Sequence, residues 1–173
     1  MSKALVVVDY QKDFVDGALG FAGAEKLEPG IAALVEQYLA AGDRVVFTLD
    51  THGPDYLDTR EGRQLPVPHC RKGTPGWELY GSLNRYMRHS GVTLLEKVTF
   101  GTLDYSCLRQ NPPQEITLVG VVTNMCVLSN AVTLQTLFPE AQLVVKAQLC
   151  DSFDRELHRQ ALAVMAGLQI RVE

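Results

Sequence analysis

Two short apolar runs constrain this chain more than any other feature. Ala4 to Val8 is continuous and valine-rich and stops at Asp9; Arg44 to Leu49 repeats the pattern and stops at Asp50. A run without polar alternation suits a strand buried on both faces, as in a parallel sheet covered by helices. Further strands are predicted at Thr93 to Glu96, Ile116 to Val122, Gln142 to Val145 and Leu168 to Val172. Stretches with helical spacing lie between them. Glu25 to Ala40 places Leu27, Ile31, Leu34, Val35, Tyr38 and Leu39 on one face, with Gly42 as the stop. Trp77 to Arg88, Asn124 to Leu137 and Arg155 to Ala166 also read as helices. The alternation predicts an α/β fold, a three-layer αβα sandwich around a six-stranded, mostly parallel sheet of Rossmann-like topology. A length of 173 residues suits one such domain, spanning 1–173, and is short for two.

Several function classes drop out. Sixteen Lys and Arg against twenty Asp and Glu give a formal charge of -4, so the chain is not a strongly basic nucleic-acid binder. The opening MSK leads straight into ALVVVDYQ, which has no secretory signal, and no apolar run is long enough to span a bilayer. A cytoplasmic protein without a membrane partner is expected. The four cysteines, at 70, 107, 126 and 150, form no C-x-x-C and no disulfide framework. Gly17, Gly20 and Gly23 are spaced G-x-x-G-x-x-G, which is not the dinucleotide-binding turn, and there is no P-loop.

In open parallel sheets, ligands bind beyond the carboxyl ends of the strands. Asp9, Asp50 with His52, Lys97 and the segment 122–126 all fall there. Cys126, in VGVVTNMCVLSNAV, is placed in the first turn of a helix, where the helix field favours a thiolate and Asn124 can cap. The plainer reading is a buried structural thiol. Asp9 is either a turn acid or a partly desolvated base with a raised pKa. Lys97, in LLEKVTFG, is either a solvated lysine or a cation beside the thiol. No histidine is placed as the obvious partner of Cys126, so an Asp, Lys, Cys set is the alternative to a Cys-His pair. The long connection DTHGPDYLDTREGRQLPVPHCRK, residues 50–72, carries Asp50, His52 and His69. These are metal-capable groups, or a hydrophilic loop holding two histidines.

Three segments together resemble the isochorismatase-like cysteine hydrolases, and among them the nicotinamidases. They are VVVDYQKDFVDGALG, EKVTFGTL and GVVTNMCV, and the likeness covers nearly the whole chain. The resemblance implies that Asp9, Lys97 and Cys126 are the catalytic residues of an amidohydrolase acting through a thioester. It implies a cis peptide between Val121 and Val122, with the amides of Val122 and Cys126 forming the oxyanion hole. It also implies a divalent metal, zinc first and iron or manganese next, on Asp50, His52 and His69. Glu61 is the expected fourth ligand, because Tyr56 stands where many relatives carry another histidine. The segment LPVPHC lacks the tryptophan that many relatives place before it. Phe14 and Phe100 are therefore the expected walls of the substrate pocket, and Trp77 is assigned to packing. Cys70 is expected to be structural, as are Cys107 and Cys150. The partners implied are a small-molecule amide and further copies of the chain in a homo-oligomer. The alternatives are a hydrolase of another small amide or N-carbamoyl compound, whose known members commonly lack the metal loop, and a non-catalytic binding member. Isochorismatase itself is disfavoured, since it lacks the nucleophilic cysteine.

Overall fold

In the computed structural model, which describes residues 2–173, β1 (Lys3–Val8) divides its side chains between two apolar layers. Leu5 and Val7 enter one and Ala4, Val6 and Val8 the other, and all five are fully buried. This is why the run shows no polar alternation. The helix α1 (Lys12–Val15) and a 3-10 turn at Ala24–Leu27 lead into α2 (Glu28–Ala40). Then come β2 (Arg44–Asp50), α3 (Arg60–Gln64), β3 (Val92–Lys97), α4 (Ser106–Arg109) and β4 (Glu115–Val121). The chain finishes with α5 (Leu128–Leu137), β5 (Gln142–Asp151), α6 (Arg155–Gly167) and β6 (Arg171–Val172).

The six strands lie in the order β3-β2-β1-β4-β5-β6, and every pairing is parallel. Ile31, Val35 and Tyr38 of α2, with Leu83 and Tyr86, cover one face. Ala131 and Leu134 of α5, Met165 of α6 and Leu108 of α4 cover the other. Each leucine, isoleucine, valine or methionine among them contributes about 1.5–3 kcal/mol on burial. The strand order reverses between β1 and β4, so a crevice opens beyond their carboxyl ends. Gly120 lets the two strands meet there. Its φ is +115°, and a Cβ on it would lie 2.1 Å from the Val8 carbonyl oxygen.

Several element bounds differ from the sequence reading. The expected helix at Trp77 to Arg88 is two 3-10 segments, Pro75–Trp77 and Gly81–Arg88, separated by extended backbone at Glu78 and Tyr80, and Gly81 opens the second at a φ of +59°. The Glu25 helix starts at Glu28, with Pro29 in its first turn, where a missing N–H costs nothing. β5 runs ten residues rather than four, because its outer half carries partly exposed polar residues that mask the apolar pattern. β3 reads weakly because it is an edge strand with only Lys97 fully buried. Among the described residues no helix is long and apolar enough to cross a membrane.

Candidate active site

Asp9 follows β1 in a left-handed backbone conformation, φ +45°. Its amide is held by the Thr48 carbonyl and hydroxyl, both at 3.2 Å. Its carboxylate is fully buried, and Oδ1 accepts from Thr48 Oγ1 at 2.6 Å. Oδ2 has Lys97 Nζ at 2.7 Å as an ion-pair partner but receives no aligned hydrogen bond. Lys97, at the end of β3, directs its ammonium to the Thr99 carbonyl (2.9 Å), Asp50 Oδ1 (3.2 Å) and Cys126 Sγ (3.7 Å). Burial raises the Asp9 carboxyl above its ordinary range against the pull of Lys97. Burial alone would discharge Lys97, but Asp9, Cys126 and Asp50 outweigh it and hold its pKa well above the usual lysine value. Burial, then the Asp9 charge, push the Cys126 thiol far up.

Burial and Asp9 thus oppose the helix field and the Lys97 ammonium at this thiol. Cys126 sits not in the first turn of α5 but in a π-helical turn, Thr123–Val127, in which Val127 N donates to Val122 O at 3.2 Å. Asn124 does not cap it; its Oδ1 accepts from Ser152 Oγ at 2.7 Å. Thr123 Oγ1 meets His158 Nδ1 of α6 at 2.9 Å. The Val121–Val122 peptide is cis.

A second cluster lies on the far side of Lys97. One ligand atom each from Asp50, His52, Glu61 and His69 falls within 4.8 Å of the others. Asp50 Oδ2 is 2.9 Å from His52 Nε2 and 3.4 Å from His69 Nε2. His69 Nδ1 is 2.8 Å from the Val67 carbonyl, which only accepts, so Nδ1 carries a proton and Nε2 faces the cluster. Burial disfavours the Asp50 carboxylate, but His52, His69 and Lys97 prevail and hold its pKa well below the usual range. Burial raises Glu61, and the charge of Asp50 adds to it. Two nitrogens and two acid groups converging this closely fit a borderline divalent cation. Tyr56 does not join them. Its ring packs on His52 and His69, with centroids 4.6 and 5.0 Å away, and its hydroxyl donates to the Leu65 carbonyl at 2.9 Å. Cys70 is buried and outside the cluster, and its amide donates to Asp13 Oδ2 at 2.7 Å.

The sequence reading missed what joins the two clusters. Asp50 offers one oxygen to the histidines and the other to Lys97, which also touches Asp9 and Cys126. It also missed Gln11, whose side chain accepts from Asp50 N (2.7 Å) and donates to Asp50 O (2.9 Å) and Trp77 O (2.8 Å). Gln11 lies in the first quoted segment, but only the fold brings it to β2. A cavity of about 590 Å³ opens beside the second cluster, bordered by His52, Tyr56, Arg60, Glu61, Thr99 and Phe100. Phe100 is thus on its wall. Phe14 is not; it is buried behind His69, ring centroids 5.4 Å apart. Trp77 packs on the core and donates from Nε1 to Thr51 Oγ1 at 2.9 Å.

Residues 3–172 match the family model described as the isochorismatase domain. The chain belongs to the isochorismatase family. Within it, the chain lies in the nicotinamidase/pyrazinamidase branch. It is 36% identical over 179 aligned positions, covering 96% of each chain, to a Bacillus subtilis protein named as an uncharacterized isochorismatase family protein, PncA. It superimposes on the crystal structure of nicotinamidase PncA from Bacillus subtilis with a TM-score of 0.88, 32% identity and 99% of both chains covered. The pyrazinamidase of Pyrococcus horikoshii, solved in complex with zinc, gives a TM-score of 0.86 at 25% identity, covering 100% of this chain and 99% of that one. For an isochorismatase-family chain, the six-stranded parallel sheet and its crevice are the expected frame.

Proposed function

We propose that this chain is a cysteine amidohydrolase that converts nicotinamide to nicotinate and ammonia. The observation that carries the reading is Lys97, which bridges a buried thiol–carboxylate pair and a four-ligand cation cluster in one crevice. Either cluster alone would suit other chemistries, and hydrolases of N-carbamoyl compounds commonly lack the second. The named activity and bound zinc of the similar structures support it.

Asp9 Oδ2, the acceptor without an aligned donor, takes the Cys126 proton as Sγ attacks the amide carbon. Burial and the Asp9 charge disfavour a charge on sulfur before a carbonyl is in place. The tetrahedral oxyanion is received by the amides of Val122 and Cys126, and Lys97 offsets the negative charge of the step. Loss of one such donor typically costs about 10²–10³ in rate. Protonated Asp9 returns its proton to the leaving nitrogen, and ammonia departs from a thioester on Cys126. Asp9 then draws a proton from water, which adds to the thioester and releases the acid and the thiol. Asp50, His52, Glu61 and His69 would hold the divalent ion, zinc by their donor set. When bound it supplies a positive charge that fixes the pyridine nitrogen of the substrate. Phe100, on the cavity wall, contacts the flat ring, and Phe14 backs His69.

We read residues 1–173 as one catalytic domain, homo-oligomeric as the family resemblance implies. Its four unpaired cysteines suit the reducing cytoplasm. The test is ammonia release from nicotinamide, pyrazinamide and N-carbamoyl amino acids by the zinc-loaded protein. Turnover of nicotinamide is expected, with at least a thousandfold loss in Cys126→Ala. Full activity of that variant would sink the mechanism, and turnover of the N-carbamoyl compounds alone would sink the substrate.

A further inference from the structure

Asn130 stands in the first turn of α5, directly after the π-helical turn, fully buried among Val127, Ala131 and Leu134. An amide there is a poor choice for packing, since asparagine is a weak helix former and a buried polar group must find partners. Here two of its three bonds go to carbonyls of the site. Nδ2 donates to the Cys126 carbonyl at 2.8 Å and to the Phe100 carbonyl at 3.0 Å. Oδ1 accepts from the Tyr105 hydroxyl at 2.7 Å. The first bond grips the π-helical turn that carries the thiol. The second grips the loop after β3, whose Phe100 borders the cavity beside the cation cluster. The loop rests on α5 at that point: a Cβ on Gly101 would meet Ser129 at 3.3 Å.

We propose that Asn130 is a positioning and specificity-determining residue that sets the spacing between the Cys126 thiol and the Phe100 wall. It fixes where a flat ring lies when its carbonyl reaches sulfur. The aromatic substrate is taken from the nicotinamidase reading, on which this inference rests. A leucine at 130 would remove all three bonds and leave the two carbonyls free to drift apart. Displacements near 1 Å at a reacting centre cost about a hundredfold.

The experiment compares the zinc-loaded wild type with Asn130→Leu, Asn130→Ser and Tyr105→Phe. Serine can still bond back to the carbonyl four residues earlier, Cys126, but is too short to reach Phe100. It keeps the test open where leucine fails to fold. Two readouts are taken: kcat and KM for nicotinamide, and the rates of Cys126 alkylation by iodoacetamide and by its N-phenyl derivative. In Asn130→Ser, KM should rise about tenfold with kcat changed less than threefold. The ratio of N-phenyl to plain alkylation should fall about fivefold or more. Asn130→Leu should add a loss in kcat, and Tyr105→Phe, which spares both carbonyl bonds, should stay within threefold of wild type. A parallel fall of both alkylation rates, or an unchanged ratio in a folded Asn130 variant, overturns the proposal. If the wild type releases no ammonia from nicotinamide, the functional reading fails, and the alkylation ratio still decides the role of Asn130.

Discussion

Replacing Lys97 by methionine keeps most of the apolar stem and removes the charge together with the bond to the Thr99 carbonyl. In the fold that charge is shared by two buried carboxylates, Asp9 at 2.7 Å and Asp50 at 3.2 Å. Breaking a buried pair leaves an uncompensated charge and costs about 3–5 kcal/mol. For a chain of this size each kcal/mol lowers Tm by about 2–4 °C, so Lys97→Met should melt about 6–20 °C below wild type. The loss depends on pH. An unfolded aspartate titrates near about 3.9. Asp9 in the fold titrates above its ordinary value, and without Lys97, which pulls it down, it titrates higher still. Between those values the folded variant binds a proton that the unfolded chain does not, so its stability falls as pH rises. The Tm deficit should therefore be smaller near pH 5 than near pH 8. Scanning calorimetry in the presence of chelator measures it without a metal contribution, and kcat/KM of the metal-loaded variant should fall about a thousandfold. A variant as stable and active as wild type near pH 8, or a deficit that grows in acid, would refute the electrostatic account of Lys97.

Other perturbations probe separate links. Gly120→Ala forces a Cβ to within 2.1 Å of the Val8 carbonyl oxygen at a φ of +115°, and should lower stability by about 3 kcal/mol or more, read from the urea midpoint. Gln11→Leu keeps the volume but strips the partners from Asp50 N and O; urea unfolding should show a loss of about 2–4 kcal/mol. His52→Ala should weaken zinc binding at least about tenfold by titration calorimetry and reduce the Tm gain that zinc gives the wild type. An unchanged zinc affinity would remove His52 from the cluster.

How much of this was legible in advance depends on whether a residue announces itself locally. Asp9 and Asp50 do, because an acid that ends an apolar strand marks the edge of a buried sheet. Lys97 and Cys126 are placed at strand ends by the same reading, and His52 by its distance from Asp50. Asn130 and Thr48 announce nothing. A lone asparagine in an apolar helix reads as a local imperfection until Phe100 and Tyr105 are seen across from it. The balance of forces at the thiol is hidden for a related reason. A helix field can be inferred from position, whereas burial and a neighbouring carboxylate are properties of the assembled crevice.

The sequence by itself determined the layered α/β frame, since apolar periodicity reports which faces must leave water. It also determined which groups stand at the carboxyl ends of the strands. Only the tertiary structure decided that β1 and β4 are neighbours, that Gly120 lets them touch, and that Lys97 reaches Asp9, Asp50 and Cys126 at once. Strand order is settled by packing over long sequence separations, and a charge network exists only once that packing has removed its water.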